Sequence, residues 1–185
     1  MKQLPIVVLL FCLSLLGCQQ ADGNLNIKSP NEELLVQFEL DGTGVPMYQL
    51  YFKGEQLINP SAMGFELHDA PDLNSNFEIV NVKSNSVNEI WQMPWGEQHD
   101  VHNHFNELIV ALQEKDDQKR KLNLVFRVYD DGIGFRYEIP EQDTLRTILI
   151  GEEYTHFNLT GDHMVWWIPG DWDIYEHLYS TTSFS

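Results

Sequence analysis

Apolar residues in this chain recur at every second position, in short runs cut by turn residues. Leu34, Val36, Phe38 and Leu40 alternate with Glu33, Leu35, Gln37 and Glu39. Tyr48, Leu50 and Phe52 repeat the pattern, as do Leu108, Val110 and Leu112. Side chains of a strand point alternately to its two faces, so a period of two marks a half-buried strand, whereas a helix face repeats every 3.6 residues. No amphipathic helical stretch and no internal repeat interrupts this rhythm. A chain so patterned can bury its apolar faces only by laying one sheet on another.

The punctuation supports the same reading. Asp41-Gly42-Thr43-Gly44 and Lys53-Gly54 separate the first runs, which predicts a meander of hairpins. Asn59-Pro60-Ser61-Ala62 and Asp69-Ala70-Pro71-Asp72 bracket a short strand around Phe65 and Leu67. Phe77 to Val82 is a further strand, followed by a polar loop from Lys83 to Asn88, and Glu114 to Lys121 is a charged turn. Leu122, Leu124, Phe126 and Val128 face Ile133, Phe135, Tyr137 and Ile139 across Asp130-Asp131-Gly132, a hairpin that Pro140 terminates because it has no N–H for a ladder. Thr144–Ile150 and Tyr154–Leu159 complete the list. Eight or more short strands in one domain predict an all-β, antiparallel sandwich.

The N-terminus reads as a targeting segment. Lys2 precedes an apolar run from Pro5 to Leu16, too short to span a bilayer comfortably, and the run ends in Leu15-Leu16-Gly17-Cys18. That ending resembles the lipobox of bacterial lipoproteins, in which the cysteine becomes the lipidated first residue. The expectation is a signal peptide over 1–17, lipidation at Cys18, a flexible tether over 18–27 and a single domain over 28–185. Gln19, where an aspartate would favour inner-membrane retention, points to the outer membrane of a bacterial cell envelope. Loss of Cys12 with the signal and use of Cys18 for lipid leave no thiol for a disulfide or a nucleophile.

A net charge of −17, spread along the chain, excludes a nucleic-acid partner, which would need basic patches. Chemistry must come from local clusters. Pro94 to Leu108 holds three histidines and three carboxylates within fifteen residues, with His102 and His104 on one face of a strand as two imidazole ligands require. Trp91 and Trp95 flank it. Solvent-facing polar residues on a strand are the plainer reading of this cluster. Asp130-Asp131-Gly132 lacks the further acids of a calcium-binding EF-hand loop and is a turn. The densest stretch is Trp166 to Tyr179, where five aromatic rings and three carboxylates fall within fourteen residues. Asp171 and Asp173 would share a face if extended, and with Trp166, Trp167, Trp172 and Tyr175 they suit a sugar site, where acids bind hydroxyls and rings stack on C–H faces.

Four separated segments, in order, carry a family resemblance. Pro94-Trp95-Gly96-Glu97, Asn103-His104-Phe105-Asn106-Glu107-Leu108, Phe126 to Tyr137, and Trp166 to Glu176 resemble the N-terminal domain of glycoside hydrolase family 97. The opening Ser29-Pro30-Asn31 is similar as well. The resemblance implies a β-super-sandwich of the galactose-mutarotase-like type that precedes a catalytic (β/α)₈ barrel. It implies an exo-acting α-glycosidase, of α-glucosidase or α-galactosidase type, whose carbohydrate partner ends in an α-linked hexose. It further implies an active-site calcium ion, with Glu176 as the carboxylate contributed by this domain. Trp166, Trp167, Asp171, Trp172, Asp173 and Tyr175 would then line the substrate or the barrel. His102 departs from the pattern, standing where a basic arginine is expected before the asparagine.

Glycoside hydrolysis needs two carboxyl groups spanning the scissile bond, and in the resembled family both lie in the barrel. No such pair can be carried over to this chain, so it is expected to stop short of the catalytic domain and to be inactive alone. The alternative is a self-sufficient, surface-anchored sugar-binding lipoprotein that uses the same rings. A small enzyme built on the histidine cluster is the third reading.

Overall fold

A computed structural model describes residues 24–185, and every regular element in them is a β-strand. The first sheet is a four-strand antiparallel meander of β1 (Asn24–Lys28), β2 (Leu34–Leu40), β3 (Pro46–Phe52) and β4 (Glu55–Ala62), paired in chain order. The second is another meander, of β6 (Phe77–Gln92), β7 (Asp100–Glu114), β8 (Lys121–Val128) and β9 (Ile133–Glu138). Two small pairs complete it. Strand β5 (Phe65–Leu67) joins β10 (Ile150–Glu153), and β11 (Met164–Trp167) joins β12 (Ser180–Ser183). The expected all-β, antiparallel sandwich is what forms.

The alternating residues make the core. Val36 and Phe38 of β2 and Tyr48 of β3 are fully buried, as are Val110 and Leu112 of β7 and Leu122, Leu124 and Phe126 of β8. Register aligns them in layers: Phe38 opposes Tyr48, Val110 opposes Leu124, and Leu112 opposes Leu122. The two sheets meet through rings, with Phe38 and Phe126 centred 5.9 Å apart. Each such side chain contributes about 1.5–3 kcal/mol by leaving water. Burial also pushes the Tyr48 phenol up to about 12, and its hydroxyl donates to the His156 carbonyl oxygen at 2.9 Å.

Two devices fasten the second sheet to the segments around it. The Asp41–Gly44 turn lies against the start of β6, where Phe77 N–H donates to the Gly44 carbonyl. Gly44 has φ +80°, and a Cβ there would meet the Phe77 nitrogen at 2.5 Å, so only glycine fits. The second device is a buried ion pair. Arg120 reaches the Glu114 carboxylate through Nε at 2.6 Å and also donates to the Pro71 and Asp72 carbonyl oxygens. Both side chains are nearly inaccessible, and the fork of the guanidinium satisfies the pair and two loop carbonyls at once.

Several sequence expectations need correction. Lys83 to Asn88 is the middle of β6, because β7 pairs it residue for residue, from Lys83 opposite Ile109 to Asn88 opposite His104. Asn59 to Ala62 lies inside β4 at the edge of its sheet, where Pro60 is tolerated. Of Thr144–Ile150 only Ile150 is strand. Tyr154–Leu159 runs beside β4 with scattered bonds, such as His156 N–H to the Ala62 carbonyl and a lone bridge from Leu159 to Ile58, without becoming a strand. The last residues of the expected tether, from Asn24 onward, form β1, since Leu25 and Ile27 extend the alternation onto β2. The signal peptide over 1–17 and Cys18 lie outside the described residues.

Candidate functional site

The aromatic and acidic stretch is carried by the β11–β12 hairpin, a two-stranded sheet of its own. Pairing of Trp166 with Thr181 and of Trp167 with Ser180 anchors the start of the stretch. Trp167 Nε1–H donates to Thr182 Oγ1 at 3.2 Å. Below the hairpin, Asp162 accepts from the Ser185 amide at 3.0 Å, which holds its carboxyl below the usual range and closes the loop ends together. No period of two marks this second strand in the sequence, because Ser180-Thr181-Thr182-Ser183 has no apolar alternation. Its threonines were the only local signal.

Between the two strands, residues 168–179 form a long irregular loop whose side chains face outward. Trp172 is 99% exposed, Trp166 68% and Trp167 45%, while Tyr175, Leu178 and Tyr179 are also largely open to solvent. Asp171 and Asp173 do not share a strand face. Asp171 Oδ1 accepts the Asp173 backbone N–H at 3.0 Å, an Asx turn that bends the chain there. That backbone bond, followed by the approach of His177 Nε2 at 3.4 Å, holds the Asp171 carboxyl below its ordinary range. Glu176 is exposed on the same loop. Among the described residues no three histidine, cysteine, aspartate or glutamate side chains converge to hold a metal, so Glu176 offers a carboxylate without a coordination shell of its own. Calcium takes six to eight oxygens, and this chain presents no such cage in the described residues.

The long β6–β7 ribbon carries the histidine cluster. His102 and His104 do share a face, with ring centres 5.5 Å apart and planes inclined by 18°. Trp95, at its tip, is 81% exposed and Trp91 is half-exposed, so neither is a core tryptophan. Nearer the sandwich lies a group that sequence reasoning missed. Arg127 Nε–H donates to Glu107 at 2.7 Å, its guanidinium lies 4.5 Å from the Phe105 ring centre, and Phe105 packs on Tyr129 at 5.2 Å. These residues are separated by twenty positions and more in the chain, and only strand register brings them together.

The chain matches the family described as Glycosyl-hydrolase 97 N-terminal over residues 27–185. It is 24% identical over 154 residues to a retaining alpha-galactosidase of Bacteroides thetaiotaomicron, a match that covers 83% of this chain and 22% of that protein. A glycoside hydrolase family 97 enzyme from Pseudoalteromonas sp. strain K8, solved in complex with panose, superposes with a TM-score of 0.79 at 35% identity. That match covers 85% of this chain and 24% of the enzyme. The same enzyme solved with acarbose gives the same values. A beta-arabinopyranosidase, at a TM-score of 0.67 and 24% identity, shares the fold. The chain thus spans about a quarter or less of the length of these relatives.

Proposed function

The chain belongs to the glycosyl-hydrolase 97 N-terminal family, and from that premise we propose that it is the domain that completes the active site of an exo-acting glycosidase. The substrate class proposed is an oligo- or polysaccharide with a terminal α-linked glucose or galactose. Relatives that bind panose and acarbose, and one named a retaining alpha-galactosidase, support that choice. The observation that carries the reading is the exposed ring surface of the β11–β12 loop. Trp172 in full contact with solvent, beside Trp166, Tyr175 and Tyr179, is apolar area that a following barrel or a sugar would cover.

In this reading the loop is one wall of a site whose two catalytic carboxyl groups belong to the barrel. Glu176 supplies one carboxylate to a calcium ion shared across the two domains, and the ion's remaining oxygens come from the barrel and substrate side. Asp171 and Asp173 keep the loop bent so that Glu176 and Trp172 stand out from it. Cys18 carries a lipid that anchors the protein to the bacterial envelope.

The test uses the panose-binding relative with its own first quarter removed. Mixing it with this chain is expected to give calcium-dependent hydrolysis of aryl α-glucosides or α-galactosides that neither piece shows alone. Glu176→Gln is expected to raise the calcium concentration required, and Trp172→Ala to weaken the association seen by calorimetry. Tight, saturable sugar binding by this chain alone, lost in Trp172→Ala, would instead favour the self-sufficient sugar-binding lipoprotein.

A further inference from the structure

Three of the four outermost strands of the two large sheets are guarded against a further strand. β1 and β9 are only five and six residues long. β4 carries Pro60, and the segment 156–160 bonds along it, from His156 N–H to the Ala62 carbonyl and from Thr160 N–H to the Leu57 carbonyl. The fourth is β6, sixteen residues long. Among the described residues, the backbone of 78–92 hydrogen-bonds to β7 alone, so alternate N–H and C=O groups along it face outward with no partner strand.

Sheet edges are ordinarily blunted by proline, bulges or clustered charge. β6 has no proline, and its one register shift, between Ile79 and Asn81, lies near its start. From 82 to 92 the edge is regular and carries one lysine and one glutamate, so it is locally neutral in a chain of net charge −17. Its sequence is also complementary to itself. A two-fold axis normal to the sheet at Ser86 lays a second β6 antiparallel to the first and keeps both core faces on the same side. In that register Lys83 opposes Glu89 of the second copy, Val82 opposes Ile90, Ser84 opposes Asn88, and Ser86 opposes itself. Directly opposed residues share a face, so opposite charges meet and apolar side chains meet, twice each by symmetry. A slide of two residues sets Lys83 against Val87 or Trp91 and parts the charges. Lys83 and Glu89 are both exposed, and Glu89 is held in place by Asn103 Nδ2–H at 2.8 Å.

We propose that the outer edge of β6 is a self-association surface, on which a second copy of this chain adds its own β6 in the register centred on Ser86. The two four-strand sheets then run as one, and Ile90, 68% exposed in the single chain, is covered against Val82 of the second copy. Backbone bonds and a narrow band of side chains make up the contact, so the dimer is weak and reversible. It stands independently of the glycosidase reading, which concerns the β11–β12 loop.

Sedimentation equilibrium of the chain across a range of concentrations is the test. The expected result is a monomer–dimer equilibrium, with amide exchange over 82–90 slowing as concentration rises. Lys83→Glu and Glu89→Lys each set like charges opposite one another at two symmetric places, and each is expected to weaken the dimer by about tenfold or more. Lys83→Glu combined with Glu89→Lys makes the charges opposite again and is expected to return the dissociation constant to within about threefold of the parent. Trp172→Ala with Tyr175→Ala, which trims the other exposed apolar surface, is expected to leave the dimer unchanged. Circular dichroism confirms that each variant is folded. A monomer at every concentration, or a dimer that both single charge reversals leave intact, would overturn the proposal. Weakening in the single variants without recovery in the pair would overturn the register. A dimer lost with the rings would move the contact to the β11–β12 loop. Protection of 82–90 only on mixing with the truncated panose-binding relative would give the edge to that partner instead of a second copy.

Discussion

The strongest single-residue constraint is Arg120, 1% exposed and bonded to Glu114 and two loop carbonyls. Removing one member of a buried pair leaves the other charged and desolvated. Arg120→Met is therefore expected to cost about 3–5 kcal/mol in urea unfolding. Arg120→Met with Glu114→Met should recover much of that loss. Asp41 acts at the surface. Its carboxylate accepts from the Val45 amide at 2.9 Å and from Thr43 N–H and Oγ1 at 2.8 Å, and these bonds hold its carboxyl below the ordinary 3.8. A folded value below the unfolded one means that the contribution is present above pH 3.8 and fades as the pH falls below it. The stability difference between the parent and Asp41→Asn is thus expected to be largest near neutrality and to shrink below pH 3.8, as thermal melts across that range would record.

Among the elements, β6 and β7 are the longest, and their two halves live in different surroundings. From Asn106 inward, β7 has a strand on each side and buries Leu108, Val110 and Leu112. Outward, Ile90 and Trp95 are exposed and only one partner strand is present. Amides 86–105 are expected to exchange with solvent faster than 106–114, measured by hydrogen exchange with mass spectrometry. Lys83–Asn88 reads as a polar loop in the sequence for a related reason. With neither face packed on a core, a strand has no hydrophobic period, and its identity comes from the partner's hydrogen bonds alone. Thr144–Leu149 is the converse case, where apolar Leu145 and Ile148 pack on the core from an irregular segment.

At the scale of the whole molecule, a well-packed sandwich carries a ring-rich hairpin that contributes little to the core. Truncating Trp172 and Tyr175 together to alanine should change the unfolding free energy by less than about 0.5 kcal/mol. The same double variant should bind less of a hydrophobic dye and scatter less light at high protein concentration, because it loses exposed apolar area. A large drop in stability would mean that the loop is part of the fold and would weaken its reading as an interdomain wall.

The alternation of Leu34 to Leu40, of Leu108 to Leu112 and of Leu122 to Val128 determined the fold class unaided, because a buried strand face leaves a two-residue period in the chain itself. The composition of Trp166–Tyr179 makes that stretch the candidate site, and its exposure leaves the rings and acids open to a partner. Tertiary structure decided what composition cannot encode. It bent Asp171 and Asp173 into a turn instead of a shared face, and gathered Phe105, Glu107, Arg127 and Tyr129 across strands. It also supplied β12 as the support for Trp166 and Trp167. Each of these depends on which strand lies beside which, and at what register. Those choices are made by long-range hydrogen bonds and core packing, which leave no local pattern behind.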